Sequence, residues 1–124
     1  MSKEGRKGAS FEQLVADYLA AALDDDRIER RVKRGTQDRG DIAGLRIRGK
    51  RTVVECKNHQ RMELAAWLDE AERERGNDDA EFGVVVHKRK GCGAAKAGRN
   101  YVTMELETFA AIIAGGKELI NAEQ

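Results

Sequence analysis

Phe11, Leu14, Val15, Tyr18, Leu19, Ala22 and Leu23 share one side of a 3.6-residue period, so the spacing predicts a helix with one buried stripe. Ser10 is placed to cap its start, and Asp24, Asp25 and Asp26 end it in water. The polar residues ahead of it (MSKEGRK) read as a mobile basic arm. This gives an arm over 1–9, a single domain over 10–116 and a tail over 117–124. A short strand is expected over 28–32, followed by the polar loop KRGTQDRG. Residues 41–47 form a second strand, carrying Ile42, Leu45 and Ile47, with Gly44 marking a bulge or bend. Arg48-Gly49-Lys50 is a hairpin turn into a third strand over 51–57, with Val53, Val54 and Cys56 as its apolar members.

A second helix is expected from about 61 to 75, with Leu64, Trp67, Leu68 and Ala71 inside, the acids outside, and Gly76-Asn77 as its stop. FGVVVH over 82–87 is the continuous apolar run of a strand covered on both faces. A fifth strand follows over 101–104. Leu106, Phe109, Ala110 and Ile113 make a last helix that ends at Gly115-Gly116. The order α-β-β-β-α-β-β-α is an α/β chain with a mixed sheet flanked by helices. The second helix joins the third and fourth strands, which makes them parallel neighbours. Trp67, Tyr18 and the phenylalanines are assigned to the core. So is the apolar face of the last helix and the strand before it, with an interface as the alternative.

Hydrophobic residues make up 40% of the 124 and charged residues 36%, which is the balance of a folded domain and not of a disordered tail. The longest apolar run covers only 109–114, so no membrane span or secretory signal is expected. Cys56 and Cys92 make no CxxC pair, which disfavours a structural zinc site and fits a reducing cytoplasm. The net charge of +1 hides a polarity. Residues 27–51 carry ten basic and three acidic side chains, residues 63–81 two basic and eight acidic, and residues 88–99 five basic and no acidic ones. Basic stretches on this scale suit a polyanion.

The candidate chemistry lies at the end of the third strand. Glu55 and Lys57 share one strand face, while Val54 and Cys56 point the other way toward core. With a turn at 48–50, Asp41 runs beside the 55–57 end of its partner, so two carboxylates and an ammonium converge. Such a site suits Mg²⁺, with Mn²⁺ as substitute: it takes oxygen ligands and uses one or two carboxylates plus substrate phosphate. The Cys56 carbonyl is a further oxygen. Lys57 is placed to hold or deprotonate an attacking water and to stabilise phosphorane charge. Glu12, at the border of the first helix's stripe, is either directed at the strand end or a boundary glutamate in solvent. Asn58, His59 and Gln60 either cap the second helix or line the site.

These residues reach a family. Asp41, followed after 13 residues by Glu55-Cys56-Lys57 in this order of elements, resembles the PD-(D/E)xK nuclease superfamily. The closest likeness is to the archaeal-type Holliday junction resolvases, which also occur among phage proteins. The matching pieces are Arg6-Lys7-Gly8-Ala9-Ser10-Phe11-Glu12, Asp41-Ile42-Ala43-Gly44 and Val54-Glu55-Cys56-Lys57, within residues 6–90. The resemblance implies a restriction-endonuclease-like fold and a Mg²⁺-dependent endonuclease that hydrolyses phosphodiester bonds at branched DNA. Asp41 and Glu55 would bind the ion, Lys57 would assist the water, and Glu12 would support the metal through a water. It also implies a homodimer that presents two sites to a four-way junction. Thr36 stands where the family often has a Ser. The expected DNA contacts are Lys3, Arg6, Lys7, Arg30, Arg31, Lys33, Arg34, Thr36 and Arg39, with Lys88, Arg89, Lys90, Lys96 and Arg99 on a second arm. The competing readings are a same-fold nuclease acting on other DNA (a nickase, restriction-like or repair enzyme) and a non-catalytic nucleic-acid-binding module.

Overall fold

The largely apolar stretches over 52–56 and 82–87 build the centre of a sheet, which is buried on both faces there. The computed structural model describes residues 3–32 and 37–121, with residues 3–7 as backbone only. The first helix, α1 (Lys3–Ala22), begins well before Ser10, so residues 3–9 continue the helix where an arm was expected. Phe11, Val15 and Ala16 form its buried stripe, with Leu14 and Leu19 half-buried. Tyr18, Ala22 and Leu23 are exposed, which corrects their place on the expected buried stripe and the core assignment of Tyr18. A Cβ added at Gly98 would lie 2.6 Å from the Tyr18 hydroxyl, so this side chain lies along the surface over Gly98.

The strands are β1 (Glu29–Arg30), β2 (Ile42–Ala43), β3 (Arg46–Ile47), β4 (Lys50–Lys57), β5 (Phe82–His87) and β6 (Tyr101–Thr103). They lie in the order β1-β2-β4-β5-β6, with β3 paired to the start of β4. The pair β4–β5 is parallel, joined by α2 (Leu64–Asn77), and every other pair is antiparallel, so the sheet is mixed. Ile28, Ile42, Val54, Val84 and Val86 face α1. Trp67 and Ala71 of α2 cover Val85 on the opposite face. Each such aliphatic side chain contributes about 1.5–3 kcal/mol on leaving water.

The expected strand over 41–47 is divided at Gly44, and the division decides a register. Arg46 pairs with Arg51 and Ile47 with Lys50, but Ile42 pairs with Val54. The Thr52 amide still donates to the Leu45 carbonyl at 3.1 Å, so Ala43 and Gly44 together oppose Val53. This is a β-bulge, and Gly44 has φ +87°. A side chain there is impossible without movement, because its Cβ would lie 2.1 Å from the Arg27 carbonyl oxygen. In the hairpin's own register Asp41 would face Cys56, whose side chain packs toward α1. The bulge shifts that register by one residue, so that Ile42 pairs with Val54 and the Asp41 carboxyl comes beside Glu55.

The last helix, α3 (Leu106–Ala114), has its expected bounds and ends at Gly115 with φ +104°. Its packing is the reverse of the expectation. Only Ala111 is buried, while Leu106, Phe109 and Ile113 are 82%, 52% and 61% exposed. The small residue lets the helix approach, and the large ones face outward; Tyr101 and Val102 of β6 are exposed as well. Among the described residues no helix is long and apolar enough to cross a membrane.

Candidate metal centre

Gly40 takes φ +94° at the entry to β2, and a Cβ there would press on Val53 Cγ1 at 2.8 Å. This tight entry delivers Asp41 to the strand end. The Asp41 amide donates to the Val54 carbonyl at 2.8 Å, and Asp41 Oδ2 accepts from the Cys56 amide at 2.7 Å. One carboxylate oxygen is thereby fixed, and the group is held across from Glu55. Glu55 and Lys57 project together, as their spacing requires: Lys57 Nζ lies 3.2 Å from Glu55 Oε2 and 2.7 Å from Glu70 Oε1. Glu12 belongs to the site and not to solvent. Its Oε2 accepts from Arg30 Nε at 3.0 Å, and its carboxyl is near enough to Asp41 to feel that charge.

A cavity of about 590 Å³ opens on this group. It is lined by Glu12, Asp41, Glu55, Cys56, Lys57 and Glu70, with Asn58, His59 and Gln60 along its wall. These three residues therefore line the site. The residue preceding α2 is Glu63, which makes no side-chain cap. The His59 ring lies tilted against Trp67, with centroids 5.6 Å apart.

Burial sets the electrostatics. It pushes Glu55 up to about 12, with hydrogen bonding to Glu70 and Asp41 and the charges of Asp41 and Glu74 adding to it. Burial also raises Glu12, opposed by Arg30 and helped by Asp41. Burial alone would lower Lys57, but the hydrogen bond to Glu70 and the Glu55 and Glu70 charges outweigh it and hold the ammonium above its ordinary value. These shifts keep Glu12 and Glu55 inclined to hold protons and the lysine charged.

The expected DNA contacts separate into groups. Lys33, Arg34 and Thr36 lie outside the described residues, and Lys3, Arg6 and Lys7 are described only as backbone of α1. Arg30 is engaged by Glu12, and Arg31 by Asp78 at 3.4 Å. Arg39 is exposed and joins Arg31, Arg46 and Arg51 around a cavity of about 320 Å³. Lys88, Lys90, Lys96 and Arg99 are exposed, while Arg89 lies 5.9 Å over the Tyr101 ring. Their segment is ordered by Asn100, which accepts from the Arg89 amide and donates to the Ala97 carbonyl, both at 2.9 Å.

Two sets of residues were not expected. Arg46 and Arg51 complete the arginine-lined cavity. Asp38, Glu70 and Glu74 gather round Glu55, with one oxygen from each of the four within 4.8 Å of all the others. Glu74 contradicts the expectation that the acids of α2 lie outside, because it is fully buried on the stripe of Trp67 and Ala71. The signal was present: Glu74 follows Trp67 by seven residues and Ala71 by three, which is the inner face of a helix. No family model matches this chain, and no curated protein or solved structure matches it significantly.

Proposed function

We propose that this chain is a Mg²⁺-dependent endonuclease of the PD-(D/E)xK type, selective for branched DNA, with four-way junctions as its substrate. The observation that carries the reading is the meeting of the Asp41 and Glu55 carboxyls, Asp41 sitting just ahead of Ile42 where it pairs with Val54, with Lys57 beside Glu55 and a cavity opening on the group. The donor set fits a hard cation: it is all carboxylate and carbonyl oxygen, and Glu55 Oε1 is buried without a partner. Asp41, Glu55 and the Cys56 carbonyl would hold the ion, with Glu12 behind Asp41. A bound Mg²⁺ supplies charge neutralisation at the scissile phosphate. Lys57, held as an ammonium between Glu55 and Glu70, donates to the attacking water or to a phosphate oxygen. Lys88, Lys90, Lys96 and Arg99 are exposed to bind the backbone of a second DNA arm, which reads shape and not base sequence.

The exposed Leu106, Phe109 and Ile113 of α3 and the unpaired edge of β6 support a homodimer. The test is cleavage of a four-way junction, a fork, a nicked duplex and a linear duplex with Mg²⁺ or Mn²⁺. Paired nicks on the junction are expected, with Asp41→Ala and Glu55→Ala abolishing cutting while binding persists. Binding without cutting under every metal and pH overturns the catalytic reading, and equal cutting of linear duplex overturns the junction specificity.

A further inference from the structure

Glu74 has no role in the chemistry just described, yet it is the most demanding side chain in the fold. It is fully buried, and neither carboxylate oxygen has a hydrogen-bond partner. Glu55 Oε1 is buried and unpartnered as well. Three orphan carboxylate oxygens inside a domain of this size are a large unmet need, because each buried polar atom left unpaired costs about 1–3 kcal/mol, and more when charged. The carboxyls of Asp38 and Glu70 gather beside them and add negative charge.

Lys57 does not close the account. Its ammonium is committed to Glu70 Oε1 and Glu55 Oε2, and none of the three orphan oxygens is among its partners. Asp38 is held in place by backbone bonds: its Oδ1 accepts from the Gly40 amide at 3.0 Å, and its carbonyl accepts from Asn77 Nδ2 at 2.9 Å. The four acids thus come from a pinned loop, a central strand and two successive turns of one helix, all rigid supports.

We propose that Asp38, Glu55, Glu70 and Glu74 form a second divalent-cation site, which shares Glu55 with the Asp41 centre. An all-carboxylate donor set selects a hard, oxygen-seeking dication such as Mg²⁺, Mn²⁺ or Ca²⁺ over zinc or copper. Its role is to neutralise the acids that surround Glu55 and to fix the Glu55 carboxylate and the Lys57 ammonium in one arrangement. The site is defined by binding, so it does not depend on the nuclease reading.

The experiment is Mn²⁺ titration by calorimetry on the full chain without DNA, together with anomalous diffraction from Mn²⁺-soaked crystals. Two ions per chain are expected for the wild type, one for Glu74→Gln and one for Asp41→Asn. An anomalous peak should lie among the Asp38, Glu55, Glu70 and Glu74 oxygens and vanish in Glu74→Gln. If Glu74→Gln misfolds by circular dichroism, Asp38→Asn is the substitute, since it keeps the oxygen that accepts from Gly40. Unchanged stoichiometry in a folded Glu74→Gln or Asp38→Asn, or no peak at these four acids, overturns the proposal. One wild-type ion that only Asp41→Asn removes also overturns it and leaves the nuclease reading standing. One ion that only Glu74→Gln removes supports it and removes the Asp41 metal instead.

Discussion

Gly44 links the fold to the chemistry, and Gly44→Ala measures the link. Two penalties separate at this position. A non-glycine residue at φ +87° carries backbone strain of about 1–2 kcal/mol. The added methyl would also sit 2.1 Å from the Arg27 carbonyl oxygen and 3.2 Å from the Ile28 amide, both backbone atoms that no rotamer change can move aside. Forcing extra volume into such a place costs roughly a further 1–3 kcal/mol. Gly49 provides the control. It has φ +77° in the adjacent turn, and a methyl there meets nothing within 4 Å. Gly49→Ala should lose the strain alone, about 1–2 kcal/mol, while Gly44→Ala should lose about 2–5 kcal/mol by combining both. The relaxed Gly44→Ala structure has a cheap escape, which is to drop the bulge and let β2 take the register of the hairpin. Asp41 then faces Cys56 and the centre is dispersed. Urea unfolding of the two variants reads the stability difference, and Mn²⁺ binding reads the register. Equal losses at the two glycines, or full Mn²⁺ binding in a folded Gly44→Ala, would refute the reasoning that the bulge is held by this close approach and that it places Asp41.

Three other outcomes are expected. Phe109→Ser with Ile113→Ser should cost the dilute monomer only about 1–2 kcal/mol, because each side chain is half exposed and neither is in the core. The same variant should shift light scattering from dimer to monomer, and a loss of several kcal/mol would return these residues to the core. In EDTA, folded Glu74 keeps its proton to about pH 8, and the unfolded chain releases it near 4.5. The contribution of Glu74 to stability therefore falls as pH rises between those values, by at most roughly 5 kcal/mol at about 1.4 kcal/mol per pH unit, on top of the fall that Glu55 contributes over the same window. Glu74→Gln should remove the Glu74 part of that fall, and parallel urea-midpoint curves against pH would contradict it. Replacing Lys88, Lys90, Lys96 and Arg99 together by Ala should weaken junction binding. The salt dependence should flatten by about 0.9 in logarithmic slope for each phosphate that is no longer neutralised. An unchanged slope would place the DNA elsewhere.

The elements legible in the sequence are those whose burial is one-sided or complete. FGVVVH has its expected bounds because a run covered on both faces needs no partner to be recognised, and α3 stops at Gly115 because only that left-handed residue ends it. The turn at Arg48-Gly49 made it legible that Asp41 runs beside the 55–57 end of β4, but the face it meets there was not, because the hairpin register continued to Asp41 points to Cys56 and the bulge at Gly44 shifts it. The sequence hid two kinds of information. Periodicity states which residues share a face but not what that face meets. Leu106, Phe109 and Ile113 therefore read as core, although the sheet takes Ala111 and leaves them outside. Residue type misleads in the opposite direction at Glu74, where charge suggested solvent and position demanded the interior. Position is the stronger evidence there, because a helix cannot turn one side chain out of its stripe without turning Trp67 and Ala71 out as well. An acid kept in such a place needs a proton or a cation to be tolerated, so the residue that breaks the hydrophobic pattern is the one that points to the metal chemistry behind Glu55.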